Sequence, residues 1–184
     1  GAPTGLTIMQ KASPPTREEL KRVAALTGLQ RALILYRLGL RSEATAEWVW
    51  TVRAMDDREL LAAAELAHRN GIWDRAINTA DKTVVTHDFT LRYPTHYRDV
   101  LSKQAQIRNL DEPWVFGLVR QESRFLVEAK SPMGAAGLMQ LLPSTARWVA
   151  KKIGMKEFKL SRVNRPEVNA ALGAFYLRHV LDAE

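Results

Sequence analysis

Cysteine is absent from the chain. Disulfides, thiolate metal sites and a cysteine nucleophile are therefore excluded, although compartment is not, because many proteins of oxidising compartments also lack cysteine. No apolar run approaches the ~20 residues a membrane-spanning helix needs, so no transmembrane segment is expected. Strand-like alternation is almost missing, which points away from sheet folds. The four histidines (His68, His87, His96, His179) show no metal-ligand spacing, so the expectation is no metal and no cofactor. What is present is 184 residues, 46% hydrophobic, enough for one large domain or two small ones with packed cores. Twenty-seven Lys+Arg against twenty Asp+Glu give a net charge of +7. That balance favours polyanions, whether nucleic acid, an anionic membrane surface or an anionic cell-wall polymer. The basic residues are scattered from Arg17 to Arg178 and no run resembles a nucleic-acid arm, so nucleic acid is not an expected partner. The start Gly-Ala-Pro-Thr-Gly, without Met or an apolar signal region, reads as a processed or cloned fragment.

Ala, Leu, Arg and Glu dominate the periodic stretches, and nearly everything reads as helix. Residues 1–16 read as a flexible N-terminal segment. Thr16 followed by Glu19, after Ser13-Pro14-Pro15, is a capping box. A helix then runs to about Gly28 and resumes toward Gly39. Further helices are expected over about Ser42–Met55, from Asp56 or Asp57 to Asn70-Gly71, and from about Trp73-Asp74. The tryptophans Trp48, Trp50, Trp73 and Trp114 are read as core. Between about Lys82 and Pro94 the pattern lapses, with Thr83, Val84, Val85, Thr86 and Phe89 poor helix formers and Pro94 a breaker, which marks the best domain boundary. Helices resume over about Tyr97–Arg108 and again at Pro113, with Asp111 or Glu112 as N-cap.

The helix from Pro113 carries an apolar stripe at Val115, Leu118 and Val119, and the next member of that series is Glu122. Its neighbours at three and four residues are Leu118, Val119, Phe125 and Leu126, none basic. An acid on a face expected to be buried, with no local cation, is disfavoured as an anion and suits a general acid. The bland alternative is a buried glutamate satisfied by a distant arginine or by backbone. Downstream, Lys130 to Ala136 opens a Pro/Gly loop in which Gly134 and Gly137 permit positive φ or close approach. Pro143-Ser144-Thr145 then starts another helix, through Trp148, Val149 and Ile153 to Gly154.

Glu122-Ser123-Arg124-Phe125, the run Ser131 through Ala146, and Asn169, Gly173 and Tyr176-Leu177 together resemble the catalytic domain of the soluble lytic transglycosylases. The stretch Asn70-Gly71-Ile72-Trp73-Asp74 and the segment Arg92-Tyr93-Pro94 are similar to the linker domain that precedes it. The resemblance implies an all-α fold: a helical linker domain over residues 17–94, then the front half of a lysozyme-like helical catalytic domain over 95–184. It departs from the family in Leu142, where many relatives have Met, and in lacking an Ala-Tyr-Asn-Ala-Gly motif, so a C-terminally incomplete catalytic domain is expected.

The resemblance further implies non-hydrolytic cleavage of the MurNAc-β-1,4-GlcNAc bond of peptidoglycan to 1,6-anhydroMurNAc products, with Glu122 as acid and then base. Ser131 and Gln140 match positions lining the cleft. Met139 and Tyr176 are further candidate substrate contacts, for which packing is the alternative. Expected partners are peptidoglycan glycan strands and proteins of cell-wall synthesis or turnover, in a bacterial periplasm, free or at the membrane. Ordinary glycosidases need two opposed carboxylates, and no second acid is clearly placed to partner Glu122. Two readings compete with the transglycosylase: a non-catalytic helical fragment that grips glycan or protein, and a hydrolase of the goose-lysozyme kind.

Overall fold

The computed structural model describes residues 10–183. Two compact units divide the chain between Pro94 and Thr95. Nearly all ordered structure in both is helical.

In the first unit, α1 (Arg17–Ala24), α2 (Thr27–Arg37), α3 (Arg41–Val52), α4 (Asp57–Arg69) and α5 (Trp73–Ala80) surround one core that includes Val23, Leu29, Trp48, Val52, Leu60 and Ile72. Ala62, Ala63, Ala64 and Ala67 are fully buried on α4, and their small side chains let neighbouring helices approach closely. Two capping boxes start helices here, Thr16 with Glu19 at α1 and Asp56 with Glu59 at α4. Arg58 ties the two starts together, donating from Nε and Nη2 to the Glu19 carboxylate at 2.9 and 2.6 Å.

Gly28 is not the stop anticipated between two helices. The break falls at Ala25-Leu26, and Gly28 lies inside α2, where a Cβ would sit 2.1 Å from Thr51 Oγ1 of α3. Trp48 is core, 1% exposed, with its indole N–H donating to Thr79 Oγ1. Trp50 and Trp114 are not, at 64% and 44% exposed. Two residues from Trp48, Trp50 lies about 200° round the helix, on its outer face, where the Arg53 guanidinium covers the ring.

The first nine residues of the segment expected to be flexible lie outside the described residues. The rest is engaged: β1 (Gln10–Lys11) pairs in parallel with β2 (Thr86–His87), and Ala12 is buried. The stretch that lost helical periodicity is held in place by other means. The Asp57 carboxylate accepts the backbone N–H groups of Val84, Val85 and Thr86 at 2.7–2.9 Å. At the end of the short α6 (Phe89–Arg92), buried Arg92 donates to the carbonyls of Ala80 and Thr83.

The second unit contains α7 (Arg98–Ile107), α8 (Glu112–Ser123), α9 (Pro143–Lys152), a 3-10 turn (Leu160–Arg162) and the long α10 (Pro166–Asp182). Its core gathers Ala136, Leu141, Ala146, Val149, Val163 and Leu172. Proline opens α9 and α10 and sits in the first turn of α8, where a missing N–H costs nothing.

Candidate active site

Helix α8 buries Val115, Phe116, Val119 and Ser123. This corrects the expected stripe. At 100° per residue the buried centre lies between Val115 and Phe116, which leaves Leu118 half-buried and Glu122 exposed at the stripe's flank. Residue 123 takes the i+4 position from Val119 and carries only a hydroxyl, which donates to the Val119 carbonyl at 3.2 Å. Glu122 therefore faces a cleft rather than the core.

After Ser123 the chain turns sharply through two successive left-handed residues, Arg124 (φ 53) and Phe125 (φ 62). Neither is glycine, so the conformation costs energy and must be held by its surroundings. The anchor is Phe125, 1% exposed, packed edge-on against His96 and tilted against Phe116. The Glu-Ser-x-Phe sequence thus ends α8 one residue past the acid and pins the exit by an aromatic side chain.

The loop between α8 and α9 folds on itself through bridges of Ala136 to Lys130 and to Leu141. Asn169 of α10 clamps it. Fully buried, its Oδ1 accepts the Met139 N–H at 2.8 Å, while its Nδ2 donates to the carbonyls of Ala136 (3.0 Å) and Val163 (2.9 Å). Gly137 (φ +77) makes room for that amide, since a Cβ there would lie 2.2 Å from Nδ2. One turn further along α10, Gly173 does the same for Met139, whose Sδ would be 2.3 Å from an added Cβ. The Asn-x-x-x-Gly spacing therefore presents a clamp and a gap on one face of α10, to adjacent residues of the loop.

These elements enclose an open cleft of about 330 Å3 lined by Leu118, Glu122, Met139, Gln140, Leu141, Leu142, Thr145, Gly173, Tyr176, Leu177 and Val180. Of the residues expected at the site, Glu122, Gln140, Met139 and Tyr176 meet here. Ser131 does not line the cleft: its Oγ accepts the Ala135 N–H at 3.0 Å and caps the loop. Gln140 (φ 45) has its amide nitrogen committed to the carbonyls of Gly137 (2.9 Å) and Ala129 (3.1 Å), so only Oε1 is left for a ligand. Met139 is 6% exposed and mostly packs on Gly173. Tyr176 is 39% exposed, edge-on to Trp148. Among the described residues, Glu122 is the one acid in the lining. Among the described residues no group of three or more His, Asp or Glu side chains could hold a metal ion.

The helical second unit with this loop has the all-α, lysozyme-like architecture. Sequence comparison specifies it further. The family described as the Transglycosylase SLT domain matches residues 99–183, and the Soluble lytic murein transglycosylase L domain matches residues 22–84. The soluble lytic murein transglycosylases of Salmonella typhimurium and Escherichia coli are 27% and 28% identical over 142 residues, 77% of this chain and 22% of each relative. An inactive glutamate-to-glutamine variant of lytic transglycosylase Slt from Pseudomonas aeruginosa superposes with a TM-score of 0.84 at 32% identity, over 95% of this chain and 28% of that one. The 70-kDa soluble lytic transglycosylase in complex with bulgecin A shares the fold at 23% identity, with a TM-score of 0.77 over the same shares of the two chains. This chain thus spans about a quarter of the length of these relatives. The chain belongs to the soluble lytic transglycosylase family.

Proposed function

We propose that the cleft is the glycan-cleaving site of a peptidoglycan lytic transglycosylase, with Glu122 as both acid and base. The observation that carries this reading is the isolation of Glu122, the one carboxylate among the described residues of the lining, on a helix at the wall of a mostly apolar groove. A two-carboxylate glycosidase would set a second acid on the opposite side of the sugar. A lone carboxyl suffices when the substrate supplies its own nucleophile. Glu122 gives its proton to the bridging oxygen as the bond from MurNAc C1 to that oxygen breaks. The carboxylate then takes the proton of the MurNAc C6 hydroxyl as O6 bonds to C1. The proton is returned to Glu122, no water is consumed, and the product is a 1,6-anhydro sugar. The inactive glutamate-to-glutamine variant of the Pseudomonas aeruginosa relative supports dependence on one glutamate.

The remaining lining binds and orients the glycan. Leu118, Leu141 and Leu142 offer apolar contact for sugar faces, Tyr176 an amphipathic ring, and Gln140 Oε1 an acceptor for a sugar hydroxyl or amide. Ser131 and Asn169 act from outside the cleft by fixing the loop. The partners on this reading are peptidoglycan strands and the proteins that build or remodel them, and the compartment is the bacterial periplasm. No helix of the described residues is long and apolar enough to cross a membrane. The test is digestion of purified peptidoglycan by the encoded protein and by this chain in parallel, with products identified by mass. Anhydro-sugar ends support the reading, and products one water heavier assign a hydrolase. Tight binding with no release from either form would favour the non-catalytic glycan-binding alternative.

A further inference from the structure

The positive charge, read above as scattered along the chain, is densest in one stretch of the second unit. Residues 147–165 hold seven cations (Arg147, Lys151, Lys152, Lys156, Lys159, Arg162, Arg165) and one acid, Glu157. All seven cations are exposed, and none is in an ion pair among the described residues. Lys151 and Lys152 lie in the last turn of α9, where cations complement the helix dipole. The dipole accounts for neither Arg147, a turn earlier, nor the four beyond the helix. Three of the cations, Arg147, Lys151 and Lys156, line an open concavity of about 450 Å3 whose floor is half-buried Met155 and Phe158. A surface evolved only for solubility has no need of a hollow with one sign of charge on its rim and an apolar base.

From this we infer that the concavity beside α9 is a second docking site for the polymer, one that takes the carboxylates of the peptides carried on the glycan, not the sugars. The inference rests on reading the Glu122 cleft as a peptidoglycan site. Guanidinium and ammonium groups pair with carboxylates, and Met155 with Phe158 gives short aliphatic side chains an apolar seat. The geometry permits both sites to be filled by one polymer. Thr145 lines the Glu122 cleft, and Arg147 lies two residues on, about 200° round α9. A helix with its side chains is about 10–12 Å thick, and an extended peptide covers about 3.3–3.6 Å per residue. The shorter way round, about 160°, is then an arc of about 14–17 Å, which a stem of four or five extended residues spans. Holding the strand at a second point raises its effective concentration at the cleft without a contact to the scissile bond.

The experiment measures cosedimentation with purified peptidoglycan in the cold, on a Glu122→Gln background, and repeats it with glycan strands stripped of peptide by an amidase. The combined change Arg147→Gln, Lys151→Gln and Lys156→Gln is expected to weaken binding to intact peptidoglycan by about tenfold at low salt, from three lost pairings of modest individual strength. The deficit should shrink at high salt and vanish on peptide-free glycan. Lys159→Gln with Arg162→Gln, on the flank, should weaken binding less, and circular dichroism checks that both variants fold. Equal binding by variant and parent overturns the inference. So does an equal loss on peptide-free strands, or tighter binding to phosphatidylglycerol vesicles than to peptidoglycan, which would make the patch a membrane surface. Product release by chains with Glu122 intact is scored separately. Anhydro products without a patch effect sink this inference alone, whereas a patch effect without products sinks the cleavage reading alone.

Discussion

Replacing Asn169 with Ala deletes three hydrogen bonds in one step. It strands the Met139 N–H and the Val163 carbonyl, whereas the Ala136 carbonyl keeps the Leu141 N–H; all three are served at 2.8–3.0 Å by one fully buried amide. A buried polar group left unsatisfied costs about 1–3 kcal/mol. Partial relaxation of the loop lowers the sum over these two groups, so the second unit should lose about 2–4 kcal/mol, a large share of the 5–15 kcal/mol by which a typical domain is stable. Asn169→Asp is the informative control. It keeps the acceptor for the Met139 N–H but turns two donations into contacts between oxygens, so it should destabilise at least as much. Because the chain folds as two units, a single global transition is not assumed. The assay is hydrogen exchange of the Met139, Gln140 and Leu141 amides, alongside denaturant unfolding. Faster exchange confined to the second unit, with slower product release because Met139 and Gln140 shift, is the expected result. A loss below about 1 kcal/mol in both variants with unchanged exchange would refute the clamp.

Gly173→Ala sets a methyl 2.3 Å from Met139 Sδ and should cost about 1–3 kcal/mol by overpacking, with Met139→Ala in the same chain relieving part of the loss in a double-mutant cycle. Glu19 has its carboxyl held at about 2, below the ordinary 4.5, chiefly by the Arg58 side chain and the Thr16 backbone N–H. A depressed folded-state value means its contribution is full above about 4.5 and is lost as pH falls toward 2. Thermal unfolding of the first unit followed over that window should therefore show a decline that Glu19→Gln makes shallower, and identical profiles would contradict the assignment.

The helical class, the capping box at Thr16, a helix start at Asp56 or Asp57, and the Glu122 motif were legible from local pattern, because caps and periodicity are short-range physics. The exposure of Glu122 was not. A helical wheel sees Val115, Leu118 and Val119, but the centre of the buried face is set by partners distant in sequence, and these select Phe116 and Ser123. The same limit hid what Asn169 and Gly173 do, since the residues they serve lie about thirty positions earlier. The lapse at Lys82–Pro94 was visible, yet its order depends on the Asp57 carboxylate, more than two dozen residues away. The basic concavity was invisible because a turn of helix and a following loop converge on it only after folding.

The most direct test compares the protein with its Glu122→Gln variant on purified peptidoglycan and weighs the soluble products by mass spectrometry. The expected result is 1,6-anhydro products from the parent, one water lighter than hydrolytic fragments, and none from the variant, with binding retained. Undiminished release by Glu122→Gln would contradict it.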